Sequence, residues 1–110
     1  VVAIVDNLRL LGPARSDLAP EHERRWVEAA RLGDRRAYGR LYERYVRLVH
    51  GIVLSRIPGP EVPDVVQDVF TVALDRLETF VPGAAFGPWV AAIARNRATD
   101  ALRTRRSNVP

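Results

Sequence analysis

Three breaks decide what this chain can become. Gly33-Asp34, Pro58-Gly59-Pro60 and Val81-Pro82-Gly83 interrupt a sequence whose apolar residues otherwise recur at steps of three and four. Proline removes a backbone donor and glycine frees the turn, so helices stop there. From Glu21, acids sit where a helix N-terminus favours them, and Trp26, Val27, Ala29 and Ala30 supply one apolar side. Gly33 ends that helix and Asp34 caps the next. The second helix is predicted over 35–57, with Tyr38, Leu41, Tyr45, Leu48 and Ile52 inward, backed by Tyr42, Val49 and Val53. A third starts near Pro63 and runs to about Phe80, facing Val66, Val69, Phe70, Ala73, Leu77 and Phe80 to the core. A fourth covers 86–106, with Phe86, Trp89, Val90, Ile93, Ala94 and Leu102 inward. No alternating strand pattern competes. The expected fold is all-α, a compact bundle of about four helices without a sheet, with Trp26 and Trp89 at least partly buried.

At 110 residues, 47% of them hydrophobic, the chain suits one small folded domain. Residues 1–20 read as a short apolar stretch, the Gly12-Pro13 break and a polar linker, and are expected to be a flexible extension. The absence of cysteine excludes a disulfide framework, a thiolate metal site and a cysteine nucleophile. His22 and His50 are too isolated to build a metal cluster. There is no glycine-rich phosphate loop and no nucleophile elbow, so neither an enzyme nor a cofactor or metal is expected. No apolar run is long enough to span a membrane and no signal peptide opens the chain, so the expected location is cytoplasmic.

Charge divides the helices more sharply than hydrophobicity does. All 17 basic residues are arginine, and the net charge is +4. Residues 34–57 hold six arginines against Asp34 and Glu43. Residues 61–78 hold Glu61, Asp64, Asp68, Asp75 and Glu78 against Arg76 alone. Residues 91–106 hold five arginines against Asp100. Three solvated faces would account for this segregation. On the third helix, however, Asp64, Gln67, Asp68, Thr71 and Asp75 fall on one polar stripe that no arginine shares, and like charges at this spacing cost a few tenths of a kcal/mol each. A basic partner surface would relieve them. On the fourth helix, arginines follow an aromatic-bearing loop (Phe80, Phe86, Trp89), a composition suited to phosphates and unstacked bases. Phe86 and Trp89 at helical spacing are, however, more often core than base-stacking platforms.

These residues carry a family resemblance. The strings RLGDRRAYGRLYERYVRLVHGIVLSRI, DVVQDVF and AFGPWVAAIARNRATDALRTRR resemble the second conserved region of bacterial sigma factors of the sigma-70 family, most of all the extracytoplasmic-function (ECF) group. The likeness covers about residues 24–106, with blocks in order from Gly33 to Tyr45, Asp64 to Phe70 and Phe86 to Asp100. It implies a domain over 21–106 that joins core RNA polymerase and recognises and helps open the −10 promoter element. By this resemblance Asp64, Gln67, Asp68, Thr71 and Asp75 would dock on the helical hairpin of the largest-subunit clamp. The loop 81–86, with Trp89, Arg95, Asn96, Arg97, Asp100 and Arg103, would hold the non-template strand, since flipped bases need a pocket and phosphates need arginine. Phe86 belongs to that set.

The family's helix-turn-helix domain for the −35 element is expected to lie outside this chain, with 107–110 the start of the linker toward it. The resemblance also allows an anti-sigma factor as a further partner and implies a monomer when free. Two departures stand out: Gly87-Pro88 before Trp89 and Ala91-Ala92 after it, where relatives commonly carry basic or hydroxyl residues. Two rival classes are a sigma-like helical module that binds a regulatory protein without directing initiation, and a stand-alone nucleic-acid binder. A generic DNA binder has no need of the acidic helix.

Overall fold

Asp34 sits at a backbone corner, directly after Gly33 and as the N-cap of a long helix. A computed structural model of the chain describes residues 13–107 except 82, and four helices make up most of it. They are α1 (Pro13–Arg31), α2 (Arg35–Leu54), α3 (Val62–Asp75) and α4 (Phe86–Ser107). Between α1 and α2, Gly33 takes φ +100°, which glycine alone adopts without strain. Its N–H bonds the Ala30 carbonyl, and the Asp34 N–H bonds that of Ala29, both at 3.0 Å. This closes α1 in a Schellman arrangement. The Asp34 carboxylate then accepts from the N–H groups of Arg36 (2.9 Å) and Ala37 (3.2 Å), opening α2.

Helix α2 packs against each of the other three helices. Its buried row is Ala37, Leu41, Val49 and Val53, with half-buried Tyr45 filling the step between Leu41 and Val49. The expected inward set is therefore rotated: Leu48 is 44% exposed and Tyr42 lies at the boundary. Val62, Val65, Val66, Val69, Phe70 and Ala73 of α3 and Phe86, Val90, Ile93, Ala94 and Ala98 of α4 complete the core. Each buried valine, isoleucine or phenylalanine among them contributes roughly 1.5–3 kcal/mol by leaving water. Trp26 and Trp89 are partly buried against this core, as expected. The described residues form an all-α bundle with no strand.

The helix ends differ from the sequence reading in three places. Helix α1 covers Pro13–Arg31, where the sequence pattern starts it at Glu21. The predicted flexible extension is thus helical backbone over 13–20, while residues 1–12 lie outside the described residues. Helix α2 stops at Leu54, and Ile57 is reached by a tightened turn in which the N–H groups of Arg56 and Ile57 both bond the Val53 carbonyl. Helix α3 stops at Asp75, and Leu77–Thr79 form a separate 3-10 turn that still buries Leu77. Of the expected linker, Ser107 is the last residue of α4, and 108–110 lie outside the described residues.

The segment leading into α4 turns tightly. The Ala84 N–H bonds the Val81 carbonyl at 3.1 Å, and Gly83 takes φ +89° at the third position of that turn.

Candidate functional site

Helix α3 puts its acidic stripe outside. Asp64, Gln67, Thr71 and Asp75 are exposed and Asp68 is half-buried, on the face opposite the valine row. The Thr71 hydroxyl donates to the Gln67 carbonyl at 3.0 Å, which fixes it against its own helix. Leu74 lies on the flank of this stripe and is 47% exposed. Next to it, Phe70 receives the ring of Tyr42 edge-on, with centroids 4.7 Å apart. An apolar margin therefore borders the charges, as in many protein interfaces. Sequence periodicity assigned Tyr42 to the interior and left Leu74 out of the site.

The stripe is not free of arginine. The Asp68 carboxylate accepts from Arg97 Nε of α4 at 2.7 Å, and Arg105 pairs with Glu61. The expectation of a wholly unpaired acidic face is corrected at Asp68, because register between helices brings α4 cations to the α3 edge. Between the two helices runs an open groove of about 460 Å³ lined by Glu61, Val65, Asp68, Arg97, Asp100 and Arg105, among others. Asp64 and Asp75 make no ion pair among the described residues.

Helix α4 splits its expected strand-binding residues among three directions. At about 3.6 residues per turn, Trp89, Asn96, Asp100 and Arg103 share one face. Asp100 sits 3.6 Å from Arg103 and 3.5 Å from Arg97, so it spaces the two guanidinium groups. Arg97 turns toward α3. Arg95 is exposed on the opposite flank, without a carboxylate partner among the described residues.

Phe86 is different. It has no exposed surface and lies among the rings of Tyr45 (5.4 Å), Phe80 (5.9 Å) and Trp89 (5.5 Å). In this conformation it supports Trp89 and presents no face on which a base could stack. Trp89, half-buried, closes the cluster at 5.0 Å from Phe80.

One residue of each departure at the start of α4, Gly87 and Ala91, has a packing reason, while Pro88 is exposed and Ala92 half-buried. Gly87 is buried under Tyr45, where an added Cβ would stand 3.0 Å from the ring's Cε1. Ala91 is 8% exposed. Larger polar residues at these two places would enter the core.

A buried carboxylate was missed by sequence reading. Glu23 is only 8% exposed, where the sequence reading gave it no more than a favourable place at a helix N-terminus. It accepts the N–H of Phe86 at 2.9 Å and the hydroxyl of Tyr45, with Arg44 Nε at 3.7 Å. Arg31, also on α1, donates to the Phe80 carbonyl at 2.9 Å. Nothing in periodicity identifies such pairings, which join residues 63 and 49 positions apart.

Burial and the neighbouring Glu23 push the Tyr45 phenol up to about 12. Burial, then the nearby Asp75, raises Tyr38, whose hydroxyl donates to the Phe70 carbonyl. Because the fold favours the protonated phenol, this stability is fully present below pH 10 and is lost as pH rises toward 12. The melting temperature should fall across that window, and Tyr45→Phe should flatten the fall. An equal alkaline decline in Tyr45→Phe would assign the loss elsewhere.

Comparisons with known proteins bear on the family and the fold. The family model for Sigma-70 region 2 matches residues 41–108. The chain is 38% identical over 76 residues to the ECF RNA polymerase sigma-E factor of Escherichia coli strain K12, covering 69% of this chain and 40% of the relative. It is 37% identical over 82 residues to the ECF RNA polymerase sigma factor BldN of Streptomyces coelicolor, covering 73% and 31%. It therefore aligns with less than half the length of these curated relatives. Among solved structures, an engineered region 2 of sigmaE in complex with GTAAAA is similar, with TM-score 0.73 and 34% identity, covering 79% of this chain and 94% of that one. CnrH in complex with the cytosolic domain of CnrY follows at TM-score 0.68 and 32% identity, covering 76% and 59%. With the sequence blocks, the bundle and these likenesses in agreement, the chain belongs to the sigma-70 region 2 family, within the ECF group of RNA polymerase sigma factors.

Proposed function

We propose that this domain binds core RNA polymerase through the outer face of α3 and the non-template strand of the −10 element through α4 and the loop before it. It acts by binding, with no catalytic step of its own. The observation that carries the reading is the placement of two chemically opposite faces on one bundle. An acidic stripe with an apolar margin suits a basic, helical protein surface. A half-buried tryptophan in line with Asn96 and Arg103 suits a strand with unstacked bases.

On this reading Asp64, Gln67, Asp68, Thr71 and Asp75 meet the largest-subunit clamp. Trp89, Asn96 and Arg103 meet the strand directly, Arg95 and Arg97 flank it, Asp100 spaces the arginines, and Phe86 supports the tryptophan. The sigmaE region 2 bound to GTAAAA supports the DNA assignment, since it covers nearly the same domain. The protein would work in the cytoplasm, where polymerase and promoter are, as one copy per complex, with a separate domain for the −35 element. No helix among the described residues is long and apolar enough to cross a membrane.

Single-strand affinity should fall with salt. Arg103→Ala or Arg95→Ala should each reduce the slope by roughly 0.7, the share of one neutralised phosphate. Asn96→Ala should instead alter sequence preference while leaving the slope in place. Titrations with single-stranded DNA at several salt concentrations test this, and affinity indifferent to salt would overturn the electrostatic assignment. The likeness to CnrH, whose structure includes the cytosolic domain of CnrY, favours a second reading in which a regulatory protein occupies the α3 face. Capture by purified core polymerase separates the two: polymerase binding supports initiation, and its absence favours the regulatory module.

A further inference from the structure

Helix α1 supplies no residue to either proposed binding face, yet two of its side chains grip the backbone at both feet of the loop between them. Arg31 donates to the carbonyl of Phe80, the last residue before the loop, at 2.9 Å. Glu23 accepts from the N–H of Phe86, the first residue of α4, at 2.9 Å. These two α1 residues stand about 12 Å apart along the axis, at roughly 1.5 Å per residue, so one rigid helix spans the loop's entry and exit. The Phe86 N–H would otherwise be an unsatisfied donor at the start of α4, and a carboxylate there is favoured by the helix dipole. Glu23 is held in turn by the Tyr45 hydroxyl and by Arg44 at 3.7 Å.

We propose that Glu23 and Arg31 are positioning residues for strand recognition: α1 clamps both feet of the loop and thereby fixes the loop's aperture and the seat of Trp89. The inference rests on the strand-binding reading of α4. It gives α1 a part in DNA recognition without touching DNA. Loop ends held by charged hydrogen bonds in a partly dry setting lose little order when a strand arrives. Released ends would have to be ordered by the strand itself, at the expense of affinity and of discrimination between bases.

The test uses the whole chain, a single-stranded GTAAAA hexamer and a pool of hexamers of random sequence. Arg31→Ala and Glu23→Ala should weaken hexamer binding about tenfold and flatten preference within the pool. The salt slope should stay unchanged, because neither residue neutralises a phosphate. Glu23→Gln keeps an acceptor for the Phe86 N–H and should recover most of the affinity. Amide hydrogen exchange without DNA should quicken at Ala84 to Phe86 in both alanine variants while the core of α2 stays protected. Arg31 is half-buried, so its variant remains informative should Glu23→Ala fail to fold. If folded Arg31→Ala binds and discriminates like the parent, the clamp has no part in recognition and the inference falls. If the parent binds no single strand in the pool, the strand-binding reading falls instead, and quickened loop exchange in the variants would still identify the clamp.

Discussion

Asp64→Arg should abolish association with core RNA polymerase and leave the fold standing. Asp64 is exposed in the first turn of α3 and makes no ion pair among the described residues, so its replacement breaks no internal pairing. Reversal inside a complementary interface costs about 2–5 kcal/mol, or roughly thirtyfold to several-thousandfold in affinity. Placing a cation near a helix N-terminus costs only about 0.3–1 kcal/mol of stability, a drop of a few degrees in melting temperature. Asp68→Arg is the less useful reversal. It would break the 2.7 Å pairing with Arg97 and set two guanidinium groups against each other, mixing a folding effect with a binding effect. The proper comparison is Asp64→Arg with Arg36→Asp, an exposed change of equal size in the first turn of α2. Polymerase affinity and melting temperature are measured for both. Retained binding by Asp64→Arg would show that the outer face of α3 is not where polymerase docks.

Relations confined to one helix were legible in the sequence, and relations between helices were not. The α3 stripe was readable because helical spacing alone decides which side Asp64, Gln67, Thr71 and Asp75 occupy. The Gly33-Asp34 corner was readable because two local demands, a positive φ and an N-cap, meet in adjacent residues. Arg97 and Asp68 were assigned to different faces, and only the packing of α4 on α3 brings them to 2.7 Å. Glu23 was misread for the same reason. An acid near a supposed helix start reads as a partner for the helix dipole, whereas helical backbone reaches back to Pro13, eight residues before Glu21, and carries Glu23 into the bundle.

Phe86 and Trp89 are adjacent on α4 and chemically alike, and their truncations should fail in opposite ways. Phe86 has no exposed surface and touches three other rings, so Phe86→Ala should cost about 3–5 kcal/mol. In a domain of this size that lowers the melting temperature by on the order of 10–30 °C. Phe86→Leu keeps most of the volume and should cost less than about 1.5 kcal/mol. Trp89 is half-buried with one side toward solvent, so Trp89→Ala should cost less stability than Phe86→Ala. It should, however, weaken single-strand binding by the roughly 1–3 kcal/mol that a stacked base contributes. The discriminating variant is Phe86→Leu, measured for strand affinity at a temperature where it is fully folded. Near-parental affinity there, with a clear loss in Trp89→Ala, means that Phe86 acts by holding Trp89 in place. A loss in Phe86→Leu as large as in Trp89→Ala, with the indole N–H resonance of Trp89 unmoved in the free variant, would mean that the loop opens when the strand binds and that Phe86 meets a base itself, because the Phe86–Trp89 ring contact would then not be the route to the defect.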